Sequence, residues 1–443
     1  MDIDRIISKI ESKKVGVSVI GLGYVGLPLA TVVSRSGFLT VGVDTDQARV
    51  ELINSGKSPI TDVTDDELRM IIEEGFTAKT DFETVRNTDI IVVCVPTPVT
   101  ASKDPDLSHI ISSGNEISKY LRKGHLVILK STTFPFTTRD VFLPILTRSG
   151  LKVGKDFFLA FCPERVDPGN KKFRIENTPI VIGGITKNCQ RVAVKFYQKL
   201  IPSVHPVSTT QAAEMTKLLE NVFRNVNIAL VNELAILCER MDLDIWEIIA
   251  AASTKPFGFM PFYPGPGVGG HCIPIDPYYL SWKARSFDYH IGFIELAARV
   301  NENMPYHVAQ LITEILGTEG IGLKKAKVLV IGITFKPDVA DTRHSPALKL
   351  IEIIQEKVAW IGFSDPFIDE VIVGMRRYRS VDLEPALNEI DLAVIATNHS
   401  NLDYQMIVSK APIILDTRNG CQGIKSDKVY TLGRSPKRSS SYF

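Results

Sequence analysis

Residues 15–26, VGVSVIGLGYVG, constrain the fold more than any other stretch. A short β-branched run stops at three glycines spaced Gly21-x-Gly23-x-x-Gly26. LPLATVVSRSG follows with apolar residues at helical spacing, and FLTVGVD then reads as a second strand ending in Asp44. Strand, tight turn, helix and strand in that order need a right-handed crossover and a parallel sheet. In such a turn Gly21 permits the reversal and Gly23 lets backbone approach a pyrophosphate. Gly26 lets the helix pack close to the sheet, with its first amides facing the anion. Asp44 stands 23 residues after Gly21, the spacing at which a carboxylate grips a ribose diol and repels a 2′-phosphate. The pattern predicts an NAD site, with Tyr24 and Val25 inside the turn. Arg49, five residues on, could instead reach a phosphate. The bland alternative is an ordinary glycine turn, and the strand context together with Asp44 argues against it.

Further strands are expected at DIIVVCVP (Asp89–Pro96), LVILKS (Leu126–Ser131) and FLAFCP (Phe158–Pro163), with helical stretches between them. Residues 1–208 therefore read as a doubly wound α/β domain. From Thr209 to Arg240 the chain runs 32 residues without Gly or Pro at period 3.6, which predicts one long helix. Such a helix bridges domains or packs against a symmetry mate. A Gly/Pro-dense loop, PFYPGPGVGGHCIPIDP, comes next, then more helix from Tyr279, completing a helical region over 209–320. At Lys324 a second α/β alternation begins, with strands in KVLVIGITF, VAWIGFSDP, DLAVIAT and APIILDTR, so that 321–433 echoes the first domain. Residues 434–443 read as a polar, basic tail.

Composition narrows the function classes. The 443 residues carry 51 Lys+Arg against 50 Asp+Glu, a net charge of +1, so no general field draws a nucleic acid or an anionic membrane. An anionic partner must be held locally. No apolar run approaches the length of a membrane span, and the first residues do not form a signal-peptide core. The six cysteines (Cys94, Cys162, Cys189, Cys238, Cys272, Cys421) show no CxxC pair and no framework spacing, which fits a reduced cytoplasmic protein.

Three further constellations bear chemistry. Gly265, Gly267, Gly269 and Gly270 place four glycines in six residues just before His271 and Cys272, with Asp276 beyond. Such a loop brings backbone close to a ligand, and a cysteine at its exit is a candidate nucleophile rather than packing. His271 has no second His or Cys at ligand spacing, so no metal site is expected. Lys217 and Asn221 sit at i and i+4 on the long helix, on a face shared with Glu214 and Arg224. From the residues alone a solvated helix face and a functional pair stay equally open. In the C-terminal unit Gly332-Ile333-Thr334-Phe335-Lys336 replaces the glycine fingerprint, so no second dinucleotide is expected. Lys336, Asp338, Asp341, Arg343 and the helix start at Ser345 suit either a phosphate or a charged surface loop.

Taken together, GLGYVGLPLA, VPTP, KSTT, PER, KLLEN, PGPGVGGHCIPIDP, FKPDVADTRHSP and DTRN resemble, in this order, the motifs of the UDP-glucose/GDP-mannose dehydrogenases. The resemblance spans residues 13–430. It implies two Rossmann-like domains, one for NAD and one for UDP, joined by a helical region that mediates a homodimer or higher homo-oligomer. It also implies a four-electron oxidation of a sugar C6 hydroxyl to a carboxylate with two NAD⁺. In that scheme Cys272 is the nucleophile that forms a thiohemiacetal and then a thioester. Lys217 and Asn221 stabilise the C6 oxyanion, Asp276 handles protons with Lys217, Thr132 holds the water, and Glu164 is the base. The resemblance places Thr97, Thr132 and Arg343 on the cofactor. It places Glu164, Arg165, Val166, Lys217, Asn221, Phe262, Tyr263, Gly265, Gly269, Lys336 and Arg418 on the substrate.

VDPGN, TKPFGF and GGHCIPIDPYYL look most like the UDP-N-acetylglucosamine 6-dehydrogenases, with the UDP-N-acetylmannosamine enzymes as near relatives. UDP-glucose enzymes carry a second Glu where Pro168 stands, an Arg within the stretch matching Thr254–Gly258, and a Lys where Ile275 stands. These departures favour an acetamido sugar and leave its epimer open. Two other readings are a two-electron hydroxy-acid dehydrogenase, which needs neither Cys272 nor a second α/β domain, and a nucleotide-sugar-binding protein without catalysis.

Overall fold

The computed structural model describes residues 3–100, 103–167, 170, 172–270 and 273–435. The chain divides into two compact units, the first of residues 1–220 and 278–289, the second of residues 221–277 and 290–443. In the first unit the strands are β1 (Gly16–Ile20), β2 (Leu39–Val43), β3 (Thr77–Lys79), β4 (Ile90–Val93), β5 (Leu126–Leu129), β6 (Phe158–Phe161), β7 (Ile180–Gly184) and β8 (Val204–Val207). They form one sheet in the order β3-β2-β1-β4-β5-β6-β7-β8, and β6–β7 is its antiparallel pair. Both faces are covered. Leu27, Val33, Phe196 and Tyr197 pack on one side, and Ile117, Phe142 and Leu146 on the other. Burial on both faces is why β4, β5 and β6 read as unbroken apolar runs rather than as an alternation.

The expected doubly wound class is what the chain adopts. In this sheet three strands escaped the sequence pattern for local reasons. β3 is only three residues long, β7 ends in two glycines, and β8 carries Pro206 at the sheet edge, where a missing amide is tolerated. Strand order reverses between β1 and β4, and in such sheets ligands bind at the carboxyl ends beside that reversal.

The second unit holds β9 (Lys327–Ile331), β10 (Trp360–Ser364), β11 (Glu370–Val373), β12 (Arg376–Arg379), β13 (Leu392–Ile395), β14 (Ile414–Asp416) and β15 (Val429–Thr431). Five of these form a parallel sheet in the order β10-β9-β13-β14-β15, which repeats the order β2-β1-β4-β5-β6. β11 and β12 make a separate hairpin. Helix Pro346–Ile354 starts at Ser345, whose hydroxyl caps the Ala347 amide at 3.2 Å.

The long helix runs Thr210–Met241, 32 residues, displaced by one from the expected 209–240. The division between units falls within it, after Glu220. Beyond the glycine-rich loop the expected helical stretch is two helices, Asp276–Arg285 and Gly292–Thr318, the second continuing through a buried Pro305.

Candidate active site

The glycine turn has the geometry its spacing demands. Gly21 takes φ +87° against the Cys94 backbone, and a Cβ at Gly26 would overlap the Gly21 carbonyl oxygen. A Cβ at Gly23 would meet nothing within 4 Å, so this position is the open face of the cradle. Asp44, buried at the end of β2, accepts the Leu22 amide at 2.7 Å and the Asp46 amide at 3.0 Å. Arg49 points to Asp44 at 3.1 Å and Asp46 at 3.6 Å, so its guanidinium is tied to the carboxylate rather than extended toward a phosphate. An open glycine, a fixed carboxylate and the topological reversal together fit a bound dinucleotide.

One residue past their paired ends, the strands of this sheet set Asp44, Gly21, Cys94, Lys130 and Cys162 in a row along the carboxyl edge. Glu164 follows two residues after Cys162. Its Oε1 accepts the Arg165 amide at 2.7 Å and the Val166 amide at 2.8 Å, and its Oε2 pairs with Lys130 Nζ at 3.2 Å. Burial pushes the Glu164 carboxyl up. The Lys130 ammonium, the Val166 amide and the more distant Lys217 outweigh that, and the group stays below the usual carboxylate range. Arg165 is tied to Glu220 at 2.7 Å and to the Pro179 carbonyl at 2.8 Å. The Thr97 hydroxyl donates to the Thr132 carbonyl at 2.7 Å, joining the ends of the β4 and β5 loops.

The question left open for Lys217 and Asn221 has a clear structural answer. Their face of the helix is buried. Glu214, Lys217, Asn221, Asn225 and Asn232 are all less than 7% exposed. Among the described residues, the Lys217 side chain makes no hydrogen bond. Glu214 accepts the Phe136 and Thr138 amides at 2.7 and 2.8 Å and the Thr138 hydroxyl at 2.6 Å, which fixes the loop after Thr132. In the second unit Asn221 donates to Asp276 and accepts from Arg224. Asn225 donates to the Ile273 carbonyl at 3.2 Å, and Asn232 accepts the Gly265 amide at 3.0 Å. Asn301 links the last two, donating to the Asn225 carbonyl at 3.0 Å and accepting from Asn232 at 2.9 Å.

The glycine-rich loop is thereby held at both ends. A Cβ at Gly265 would meet the Arg418 guanidinium, and a Cβ at Gly269 would meet Phe335 and the His344 carbonyl. Gly270 donates to the Arg343 carbonyl at 2.9 Å. Burial lowers Arg418 to about 10, only partly countered by Asp416, and its Nε donates to the Ala396 carbonyl at 3.2 Å. Arg343 forks onto Asp341 at 2.5–3.0 Å, and Lys336 lies over the Phe335 ring. Phe262 packs edge-on to Phe223, and Tyr263 stacks on Trp246. Cys272 and His271 lie outside the described residues, as do Pro168 and residues 436–443 of the tail.

Comparison with known proteins bears on this arrangement directly. Residues 15–201 match the NAD-binding domain of the UDP-glucose/GDP-mannose dehydrogenase family, 211–303 its central domain and 329–423 its UDP-binding domain. The chain belongs to the UDP-glucose/GDP-mannose dehydrogenase family. It is accordingly an NAD-dependent oxidoreductase of nucleotide sugars. A UDP-N-acetyl-D-glucosamine 6-dehydrogenase of Pseudomonas aeruginosa is 36% identical over 358 residues, covering 80% of this chain and 84% of that protein. A UDP-N-acetyl-D-mannosamine dehydrogenase of Pyrococcus horikoshii is 35% identical, covering 91% of this chain and 95% of that one. A solved structure of a UDP-D-ManNAc dehydrogenase from Pyrococcus horikoshii superposes with a TM-score of 0.88 at 34% identity, over 95% of this chain and all of the other.

In the second sheet, too, a carboxylate follows the second strand of the parallel pair. Asp365 ends β10 as Asp44 ends β2 and accepts the Ile333 amide at 2.6 Å, as Asp44 accepts that of Leu22. Here, however, the buried His399 ring sits 3.2 Å from the same oxygen. Its Nδ1 accepts the Asp338 amide, which leaves Nε2 to donate. Sequence reasoning passed over Lys130, Asn225 and Asn232. The signals were present: Lys130 directly follows the unbroken apolar run Leu126–Leu129, and Asn221, Asn225 and Asn232 share one helical face.

Proposed function

We propose that this enzyme oxidises C6 of a UDP-N-acetylhexosamine, UDP-GlcNAc first among them, to the uronic acid in two steps, supplying a precursor for surface polysaccharide. The observation that carries the reading is that Lys217 and Asn221, one turn apart on the long helix, are both buried. Asn221 spends one amide hydrogen on Asp276 and its oxygen on Arg224, which leaves, among the described residues, one N–H to donate to a substrate oxygen. An ammonium and an amide so placed stabilise charge developing on the C6 oxygen.

Gly21, Gly23, Tyr24, Val25, Gly26, Asp44 and Arg49 would hold the adenosine and pyrophosphate half of NAD, and Thr97, Thr132 and Arg343 the rest. When bound, NAD⁺ accepts a hydride from C6 at each oxidation. Between the two, the Cys272 thiolate adds to the aldehyde carbon as a thiohemiacetal, and the second oxidation leaves a thioester. Glu164 then takes a proton from a water held by Thr132. The water oxygen bonds to the carbonyl carbon, the C–S bond breaks, and the Cys272 thiolate leaves. Arg165, Val166, Phe262, Tyr263, Gly265, Gly269, Lys336 and Arg418 would line the UDP-sugar. The choice of an acetamido sugar is supported by Pro168, Ile275 and the Thr254–Gly258 stretch, and by the relatives named above.

A homodimer is supported by the opposite face of the long helix. Leu219, Phe223, Leu230, Leu234, Leu237 and Met241 recur at steps of four, seven, four, three and four residues and are 38–59% exposed. An apolar stripe of that period is a helix-packing seam.

The test is an NADH assay over UDP-GlcNAc, UDP-ManNAc, UDP-GalNAc, UDP-glucose and GDP-mannose, with NADH counted per sugar consumed. Two equivalents with UDP-GlcNAc preferred are expected. One equivalent would overturn the thioester scheme, and preference for GDP-mannose or UDP-glucose the substrate assignment. Cys272→Ser should stop turnover, and unchanged turnover would exclude covalent catalysis.

A further inference from the structure

Lys130 is the residue whose presence the fold does not explain. It follows Leu126 and Ile128 on one of the two buried faces of β5, and it is 2% exposed. Removing an ammonium from water costs several kcal/mol even after relaxation, and a buried ion pair is on average no more stabilising than apolar residues of the same volume. Stability alone therefore gives no reason to keep a lysine in this row.

Its neighbours show what it serves. Cys94 and Cys162 flank it along the carboxyl edge of the sheet, and Tyr197, fully buried, lies against Cys162. Burial pushes the Cys94 thiol up to about 12, against the pull of Lys130, and raises Cys162 and Tyr197 as well, so all three are neutral. Of the other charges near Glu164, Arg165 is paired with Glu220, and Lys217 acts from the long helix without a hydrogen bond to it. The anion that meets Lys130 is Glu164, 3.2 Å away, with its other oxygen pinned by two backbone amides.

We propose that Lys130 is the positioning residue for the hydrolytic half of the reaction, a buried counter-ion that keeps Glu164 ionised and aimed so that it can take a proton from water. This rests on the assignment of Glu164 as the base. Glu164 is held from both sides, amides on Oε1 and ammonium on Oε2, so one charge sets both its ionisation and its orientation. Without the cation, burial acts on Glu164 with less opposition and its titration moves up. The acid side of hydrolysis then loses about ten-fold in rate for each pH unit of that shift.

The experiment follows the acyl-enzyme on Cys272 by intact mass and its decay by rapid quench from about pH 5.5 to 9, with Lys130→Met, Lys130→Arg and Glu164→Gln beside the wild type. Wild-type decay should be flat above about pH 6. Lys130→Met should still form the acyl-enzyme but decay at least about ten-fold more slowly at low pH, approaching wild type at high pH, and Lys130→Arg should restore the flat profile. Glu164→Gln should be slow at every pH. A Lys130→Met profile parallel to wild type would overturn the proposal while leaving Glu164 in its role. Fast decay in Glu164→Gln would overturn that role itself. If Lys130→Met does not fold, the wild type still decides, because a hydrolytic step titrating at pH 7 or above would be incompatible with a base held ionised by Lys130.

Discussion

Truncating Asn232 to alanine should release the glycine-rich loop from the long helix. Asn232 is fully buried, its Oδ1 takes the Gly265 amide at 3.0 Å, and its Nδ2 donates to Asn301 at 2.9 Å. Alanine leaves a buried donor and a buried acceptor without their partner, at ~1–3 kcal/mol each, or about 2–6 kcal/mol together. Asn301 keeps its bond to the Asn225 carbonyl, so the loss concentrates at Gly265 and the loop leading to Cys272. A chain of two units does not unfold in one step, so local amide exchange measures this better than a global transition. Protection of peptides covering Gly265–Gly270 should fall roughly 5- to 150-fold, the range a 1–3 kcal/mol loss produces, with β1–β6 unchanged. Asn232→Asp keeps the acceptor for Gly265 but places oxygen against oxygen at Asn301. It should preserve loop protection better than alanine does. Exchange at Gly265 within about two-fold of wild type in Asn232→Ala would refute the tether.

Other consequences are equally direct. Leu230→Glu with Leu237→Glu should convert a sedimenting dimer to a monomer of unchanged helicity, since each leucine contributes about 1.5–3 kcal/mol when covered; a monomeric wild type would remove the seam's purpose. Gly26→Ala forces a methyl into the Gly21 carbonyl and should weaken NADH, followed by its fluorescence, by more than about ten-fold; unaltered binding would contradict the close-packed turn. Burial raises the Glu214 carboxyl from 4.5 to about 7, against the Thr138 and Phe136 hydrogen bonds. The folded state therefore holds the extra proton between those values, and this group makes stability fall as pH rises through that window, by up to ~1.4 kcal/mol per unit. Relative to Glu214→Gln, wild-type melting temperature should drop from about pH 5 to 7, and parallel curves would reject the shift.

The parts of the site legible in the sequence are those written in contiguous residues. Gly21 to Asp44 encodes its own turn, because positive φ, close helix packing and strand alternation are each decided within a few positions. The second α/β unit was legible for the same reason. β3, only three residues long, and β8, interrupted by Pro206, were not. Of the charged residues flanking the C-terminal loop, Arg343 turned out to be forked onto its neighbour Asp341, a pairing that spacing two apart allows but does not require.

What the sequence alone determined was the α/β class, the NAD turn and the helix that carries Lys217 and Asn221, since backbone period and glycine placement are local properties. Tertiary structure decided which face of that helix was buried: the polar stripe of Glu214, Lys217, Asn221, Asn225 and Asn232 went inside, with leucines left outside. It also brought Lys130 to Glu164, 34 residues apart in the chain, because adjacent parallel strands align their carboxyl ends whatever lies between them. Which charge meets which is settled by that alignment and by exclusion of water, and neither is written in any short window of sequence.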